Sequence, residues 1–193
     1  MFPRSYPFTG KKLQDSRSIF GTHRESLYNY PMPETPLEIQ IGQLLRTHKY
    51  TLATAESCTG GLIGHLLTNV PGSSDYYLGG VVAYAYEAKV ALLGVSWEML
   101  QKFGAVSEEV ALQMARGARA ALNSDLAISV TGIAGPGGGL PNKPVGLTWI
   151  GISTPEGDRA ERFVWAGERE GNKMSSARAA LEMVKTYCST KNV

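Results

Sequence analysis

The sequence predicts an α/β fold, a three-layer α/β/α sandwich around a mixed, mostly parallel sheet. Two observations lead to this prediction. From residue 36 onward, short apolar strands alternate with helical segments, and this alternation is typical of parallel sheets with helices on both faces. Two strand-like segments that flank the turn residues 155–158 then add an antiparallel hairpin to the sheet.

The first half of this body contains helical and strand segments in alternation. Apolar residues recur every three to four positions over residues 36–48 and predict the first helix. Residues 51–55 are typical of a short buried strand, which leads through a glycine-containing turn into the helical segment LIGHLL. The β-branched and aromatic run at 81–86 predicts the second strand, and the segment EAKVALLG after it is a short helical piece.

The second half begins with the most regular helical pattern. Ser107 offers an N-cap, two glutamates place negative charge in the first turn, and helical spacing continues to residue 122. The remaining predicted elements are a strand over 126–132, a hairpin over 146–154 and 161–167, and a helix from about Lys173 to Tyr187.

Residues 1–35 differ from the rest of the chain. They contain four prolines and no helical or alternating period, so we predict an extended N-terminal arm there and a folded domain over 36–193. The arm holds five basic and three acidic side chains, whereas the remainder carries 14 of each sign. The alternatives are a transit peptide and an arm that docks on the body or on a neighbouring subunit.

Composition argues against several classes of protein. No apolar run approaches the roughly 18 residues that cross a bilayer, so we expect no membrane segment. The charge-balanced body lacks the basic stripe of duplex-binding domains, so we expect no direct contact with nucleic acid. The two cysteines lie 130 residues apart and the three histidines form no metal-binding spacing with them. This usage favours a reducing, cytoplasmic compartment and predicts no metal.

The segment AESCTGG, residues 55–61, is the first candidate for chemistry. A strand here delivers its residues to the N-terminus of a helix, where free backbone N–H groups and the helix dipole favour an anion or a developing oxyanion. We expect the N–H groups near Thr59, Gly60 and Gly61 to face the substrate. The alternative is that the turn only caps the helix.

Two nucleophiles compete in this turn. A catalytic thiol at Cys58 needs a neighbouring base, and His65 lies two helical turns away, so Ser57 is favoured. Because histidines are few, a lysine is the remaining candidate base, provided that burial lowers its pKa from about 10.4. Lys89, in an apolar context, is a better candidate than Lys143 in a loop, but the residues alone do not decide between them.

The run TGIAGPGGG, residues 131–139, is the second candidate. It follows a predicted strand, and successive N–H groups around Thr131, Gly132 and Gly135 are able to form an anion-binding nest. The run has neither the lysine of a P-loop nor the helix that follows a dinucleotide fingerprint. A plain flexible loop is the alternative.

Two tyrosines and one arginine complete the candidates. Tyr84 and Tyr86 precede Lys89 and would relay a proton to it or orient it, unless they only pack in the strand. Arg169 precedes the last predicted helix, where its planar fork would hold a phosphate, or would pair with the neighbouring glutamates.

Five motifs occur in a fixed order along the chain. They are AESCTGG at 55–61, GGVVAYAYEAK at 79–89, GAVSE at 104–108, VTGIAGPGGG at 130–139 and KPVG at 143–146. Together they resemble the CinA carboxyl-terminal domain family, whose enzymatic members are nicotinamide-nucleotide amidases. The resemblance covers roughly residues 36–189.

The resemblance implies a three-layer α/β sandwich that hydrolyses nicotinamide mononucleotide, a small-molecule substrate of pyridine nucleotide salvage, to nicotinate mononucleotide and ammonia without a cofactor. It implies that Ser57 is the nucleophile and that Lys89 is the base that later protonates departing ammonia. Tyr84 and Arg169 match family positions. Here the usual YSNEAK reads YAYEAK, so Tyr86 replaces a polar residue, and which tyrosine assists the lysine stays open.

Other departures leave further alternatives open. The usual GDR reads GER, and Lys173 stands where a second arginine is common, which would weaken a bidentate phosphate contact. Many relatives carry a larger amino-terminal domain, so this chain resembles the stand-alone form. A non-catalytic nucleotide-binding or regulatory module is the alternative function, followed by an interaction partner in DNA uptake or repair. We also expect a homo-oligomer.

Overall fold

A computed structural model describes residues 35–191. The predicted arm lies outside the described residues except for Thr35, so the arm and the domain boundary stay predictions. The helices and strands, in chain order, are α1 (Leu37–His48), β1 (Leu52–Glu56), α2 (Leu62–Thr68), a 3₁₀ turn (Ser73–Asp75), β2 (Tyr77–Val82), α3 (Tyr86–Leu93), α4 (Trp97–Phe103), α5 (Glu108–Leu122), β3 (Leu126–Gly132), β4 (Leu147–Thr154), β5 (Gly157–Val164) and α6 (Arg169–Ser189).

The sheet has the strand order β2-β1-β3-β4-β5. β1 pairs in parallel with both β2 and β3, whereas β4 is antiparallel to β3 and to β5. Four of the five strands therefore point in the same direction. This arrangement confirms the predicted mixed, mostly parallel sheet with an added hairpin.

Two hydrophobic clusters cover the two faces of the sheet. On one face, α1, α2 and α6 contribute buried side chains that include Leu45, Leu67 and Val184. On the other face, α3, α4 and α5 contribute a second cluster, with Leu93 and Met114 among its members. The predicted three layers are confirmed, and all five residues of β1 are buried between them.

Local hydrogen bonds explain where several elements begin. Ser107 caps α5 as predicted, because its Oγ accepts from the N–H of Val110. At the start of β1, Asp125 Oδ2 accepts from both the N–H and the hydroxyl of Thr51, each at 2.7 Å. This carboxylate ties β1 to β3 at the end of the sheet opposite to their carboxyl ends.

The second strand was predicted too late in the chain. The structure places β2 at Tyr77–Val82 instead of 81–86, and Tyr86 is the first residue of α3. The aromatic residues that suggested a strand point to solvent, since Tyr84 is 61% exposed and Tyr86 is 41% exposed. β2 itself contains two glycines, which are unfavourable inside strands, so residue propensity did not predict it.

Three further elements differ from the prediction. β5 lies at Gly157–Val164 instead of 161–167. α4 was not predicted, although Ser96 caps it by accepting from the N–H of Met99. α6 begins at Arg169 instead of near Lys173, because its first turns contain a glycine and polar residues that obscure the helical period. Within residues 35–191, no helix combines the length and the apolar composition that crossing a bilayer requires.

Candidate active site

A pocket of about 240 Å³ lies where β1 and β3 end. The strands are adjacent and parallel, so the segments that follow them meet at one edge of the sheet, where ligands collect in α/β folds. We call residues 57–61 the serine turn and residues 132–139 the glycine loop. The pocket is lined by Ser57, Cys58, Tyr84, Lys89, Ala105, Val106, Thr131, Gly132, Ile133, Ala134, Gly135, Gly137, Gly138 and Arg169.

The central contact of this pocket joins Lys89 to Ser57. Lys89 Nζ lies 3.0 Å from Ser57 Oγ, and the residues are 1% and 8% exposed. Nζ also donates to the carbonyl oxygens of Ala83, at 2.8 Å, and Tyr84, at 3.1 Å. The segment that leads from β2 into α3 thus supplies both the lysine and the two carbonyls that hold it.

Burial sets the charge state of this lysine. It lowers the pKa of Lys89 to about 8, and Cys58 acts in the opposite direction. A neutral amine has two N–H donors and one lone pair. In the neutral form, with both donors directed to the carbonyls of Ala83 and Tyr84, the lone pair is left for Ser57 Oγ.

The neighbouring thiol has the opposite property. Burial raises the pKa of Cys58 to about 11, so the thiol stays protonated near neutral pH. Its backbone N–H, however, has no oxygen acceptor among residues 35–191. The side chain of Cys58 is therefore a poor nucleophile, whereas its backbone N–H, directly after Ser57, contacts only its own sulfur and no oxygen acceptor in that range.

A buried carboxylate holds the serine turn. Glu56, which is 1% exposed, accepts hydrogen bonds from the N–H groups of Gly61 at 3.0 Å, Ile63 at 3.1 Å and Gly64 at 2.9 Å. Sequence reasoning missed this residue. The signal was an acidic side chain at the last position of a fully buried strand, directly before a helix N-terminus.

The donors that we expected to face the substrate are partly occupied. The N–H of Gly61 is held by Glu56, and the N–H of Gly60 donates to Ser57 O at 3.1 Å. Thr59 is 1% exposed and does not line the pocket. The fold therefore uses the two glycine donors of the expected oxyanion site internally, whereas the N–H of Thr59 has no acceptor among residues 35–191.

The glycine loop is held in a different way. Arg169 Nη1 donates to Gly135 O at 2.7 Å, and its Nη2 donates to Tyr84 OH at 3.0 Å. The buried amide of Asn172 donates to Ala134 O at 3.0 Å and accepts from the N–H of Gly167 at 3.0 Å. Sequence reasoning missed Asn172, which lies one turn into α6.

Arg169 and Asn172 bond to carbonyl oxygens of the glycine loop, so these bonds do not use its backbone N–H groups. In the described part of the chain, no protein acceptor takes the backbone N–H groups of Ala134, Gly135, Gly137 and Gly138. Together with Arg169 they form a cationic and N–H-rich end of the pocket, and such a surface suits an anion.

The opposite wall is built on the α4–α5 connection. Lys143 Nζ donates to the carbonyl oxygens of Phe103 and Val106, so it braces this wall and does not reach Ser57. Tyr86 OH accepts from the N–H of Ala105 at 3.3 Å and does not line the pocket, so its assignment to substrate binding stays a prediction.

The structure thus brings together most of the residues that the sequence singled out. Those that line the pocket are Ser57, Tyr84, Lys89, Thr131, Gly132, Gly135 and Arg169, and those that do not are Thr59, Gly60, Gly61 and Tyr86. Over residues 35–191, no group of three or more His, Cys, Asp or Glu side chains is placed to hold a metal ion.

Comparison with known proteins places this chain in a family. The model of the CinA C-terminal domain matches residues 34–188. A CinA-like protein of Salinibacter ruber is 52% identical over 149 residues, which are 77% of this chain and 36% of that protein. A CinA-like protein of Desulfotalea psychrophila is 46% identical over 183 residues, 94% of this chain and 44% of that protein. The chain spans about 40% of the length of such curated relatives.

Solved structures agree with this assignment. The competence/damage inducible protein CihA from Agrobacterium tumefaciens superposes with a TM-score of 0.76 at 41% identity, covering 78% of this chain and 92% of that one. The competence damage-inducible protein A from Klebsiella pneumoniae gives a TM-score of 0.78 at 32% identity, covering 81% and 97%. The chain therefore belongs to the CinA C-terminal domain family.

Proposed function

We propose that this protein is an amidase that hydrolyses nicotinamide mononucleotide to nicotinate mononucleotide and ammonia with a serine nucleophile and a lysine base. The observation that carries the proposal is the 3.0 Å contact between Lys89 Nζ and Ser57 Oγ inside an open pocket. A nucleophile and its base need this hydrogen-bond distance.

The first half of the reaction forms an ester. Neutral Lys89 takes the proton of Ser57 Oγ while Oγ attacks the amide carbon, and the free N–H of Cys58 stabilises the oxyanion. The protonated Lys89 then donates to the amide nitrogen, the C–N bond breaks, and ammonia leaves. The acid part of the substrate is now bound to Ser57 as an ester.

The second half regenerates the enzyme. Lys89, neutral again, removes a proton from water, and the resulting hydroxide attacks the ester carbon. The proton returns from Lys89 to Ser57 Oγ as the C–O bond breaks and nicotinate mononucleotide is released. Each proton that Lys89 accepts it also returns, so the two half-reactions balance.

The glycine loop supports an anionic substrate. The phosphate of a mononucleotide would accept from its free N–H groups and from Arg169, whose planar fork suits phosphate. Between the two ends, Ala105, Val106 and Ile133 give the pocket an apolar lining for a ring. A neutral amide at one end and a phosphate at the other match this distribution of donors.

Ammonia release from nicotinamide mononucleotide tests the proposal. Ser57→Ala should lower kcat at least about 10³-fold, as loss of a nucleophile does, while the dissociation constant for the nucleotide, measured by calorimetry, stays within about threefold because the anion-binding donors are intact. Cys58→Ala is the matched control and should keep kcat within about threefold, because only the main chain of this residue takes part. Undiminished turnover by Ser57→Ala would reject the mechanism.

The same measurement distinguishes the proposed amidase from the alternative function. A wild-type protein that binds the nucleotide through Arg169 and the glycine loop, yet releases no ammonia, would be a non-catalytic nucleotide-binding module. The homo-oligomeric state and the cytoplasmic location stay predictions from the sequence.

A further inference from the structure

A carboxylate of the chain itself occupies the N-terminus of α2. Helix N-termini present free N–H groups that bind phosphates and other anions. At the N-terminus of α2 three such groups point instead at Glu56, which belongs to the same chain and is 1% exposed. Within residues 35–191, no salt bridge engages this carboxylate.

The bonds of Glu56 enclose the nucleophile. Its side chain bonds to the N–H of Gly61, so the chain from 56 to 61 closes into a ring that contains Ser57. Inside the ring the N–H of Gly60 donates to Ser57 O. The N–H of Ser57 donates to Val130 O in the neighbouring strand at 2.9 Å. The backbone that carries Oγ is thereby fixed on both sides.

The same residue is connected to the base through its main chain. Glu56 O accepts from the N–H of Ala83 at 2.8 Å, and the carbonyl of Ala83 holds Lys89 Nζ. One residue therefore contacts the segment that carries the nucleophile by its side chain and the segment that holds the base by its backbone. A shift of Glu56 would change the distance between Oγ and Nζ.

We propose that Glu56 is a positioning residue that fixes Ser57 Oγ against Lys89 Nζ by filling the N-terminus of α2 with a carboxylate. The proposal deepens the proposed function and rests on it.

The chemistry of the acceptor explains why a carboxylate is required. An ionised carboxylate only accepts hydrogen bonds, and its two oxygens serve three donors here. A glutamine of the same shape would turn an NH₂ group toward at least one of these N–H groups. Glu56→Gln therefore changes the turn while it keeps the side-chain volume.

The experiment measures how fast Ser57 reacts with a fluorophosphonate, followed by intact mass, together with kcat and KM for ammonia release. Glu56→Gln should slow both the labelling of Ser57 and kcat about 10²-fold, the loss that a misplacement of about 1 Å produces. KM should stay within about threefold, because the glycine loop and Arg169 are untouched.

Asp125→Asn is the matched control. Asp125 is also a carboxylate that accepts a backbone N–H, but it does so at the other end of β1. Its substitution should lower the Tm and leave the labelling rate of folded protein unchanged. A role of Glu56 in stability alone would give Glu56→Gln this same behaviour, and that result would overturn the proposal.

A second variant of Glu56 tests the same role if Glu56→Gln is unstable. If Glu56→Gln does not accumulate as folded protein, Glu56→Ala is purified in formate, which fills the vacated anion site. Dialysis of formate should then lower labelling at least about tenfold before far-UV circular dichroism changes, whereas simultaneous loss of both overturns the positioning role. If wild-type Ser57 neither reacts nor releases ammonia, the proposed function fails and the role of Glu56 fails with it.

Discussion

The serine turn and the glycine loop lie at the same edge of the sheet and have similar compositions, yet they present different groups to the pocket. Both follow buried strands, and both contain glycines. The serine turn is held by an acceptor, the carboxylate of Glu56, which bonds to N–H groups. The glycine loop is held by donors, the amide of Asn172 and the guanidinium of Arg169, which bond to carbonyl oxygens.

This difference decides what each segment has left to offer. In the serine turn the carboxylate takes the N–H of Gly61, and backbone carbonyls take those of Ser57 and Gly60. The turn thus offers the hydroxyl of Ser57 and the N–H groups of Cys58 and Thr59, which have no oxygen acceptor among the described residues. A donor that anchors a loop consumes carbonyl oxygens, so the glycine loop retains its N–H groups for an anion. The chemistry of the anchor, more than the glycine content, separates a catalytic turn from a binding loop.

The largest effect should follow from removing the base that faces the serine turn. Lys89→Met should lower kcat at least about 10³-fold, because no other group within the described residues accepts the proton of Ser57. Lys143→Met is the control, since Lys143 also donates to two carbonyl oxygens. It should change kcat by less than about tenfold and act mainly on the wall of the pocket. Equal losses of kcat in the two variants would reject Lys89 as the specific base.

The second prediction concerns Arg169, the cation that contacts the glycine loop. Arg169→Met should raise KM for nicotinamide mononucleotide by about 10- to 100-fold, the value of one or two charge-assisted hydrogen bonds, and should leave kcat within about threefold. The riboside without phosphate is the control substrate, and its KM should not change. Steady-state kinetics with both substrates measure this, and a fall in kcat equal to the rise in KM would place Arg169 in the chemical step.

The serine turn and the glycine loop should respond differently to pH. The pKa of Lys89 is lowered to about 8, so the reactive neutral amine is the minor form below pH 8. Labelling of Ser57 by a fluorophosphonate should therefore rise about tenfold from pH 6 to pH 7 and level off above about pH 8. Lys89 takes no part in the proposed binding of the phosphate by the glycine loop, so KM should change by less than about twofold between pH 7 and 9. A midpoint near 10.5 would mean that Lys89 is not desolvated.

The sequence predicts those parts of the site that depend on neighbours along the chain. Ser57 could be found because a strand, a turn and a helix follow one another within a few residues. The sheet and its three layers could be predicted for the same reason. By contrast, the residues alone could not choose between Lys89 and Lys143, because the choice depends on which amine reaches Oγ across 32 positions of the chain.

The anchors were missed because their partners are set by the fold. Asn172 reaches Ala134 over 38 positions, and nothing in its local sequence marks it as a residue of the pocket. Glu56 is the exception, since it bonds to N–H groups five to eight positions ahead, and its place at the end of a buried strand directly before a helix N-terminus was a signal in the sequence. The prediction of β2 was wrong for another reason. The exposed tyrosines resembled strand residues, whereas the strand itself contains glycines.

The smallest effect should come from the anchor of the glycine loop. Asn172→Leu leaves Ala134 O and the N–H of Gly167 without their partner, which should lower the free energy of unfolding by about 1–3 kcal/mol. Because the loop loses one of its two donor anchors, KM should rise about threefold to tenfold, with kcat nearly unchanged. Ser176→Ala, one helical turn further on, removes a buried hydroxyl that accepts from Trp165 Nε1 and does not contact the loop. It should lower stability without changing KM, and equal KM values in the two variants would show that Asn172 contributes only to stability.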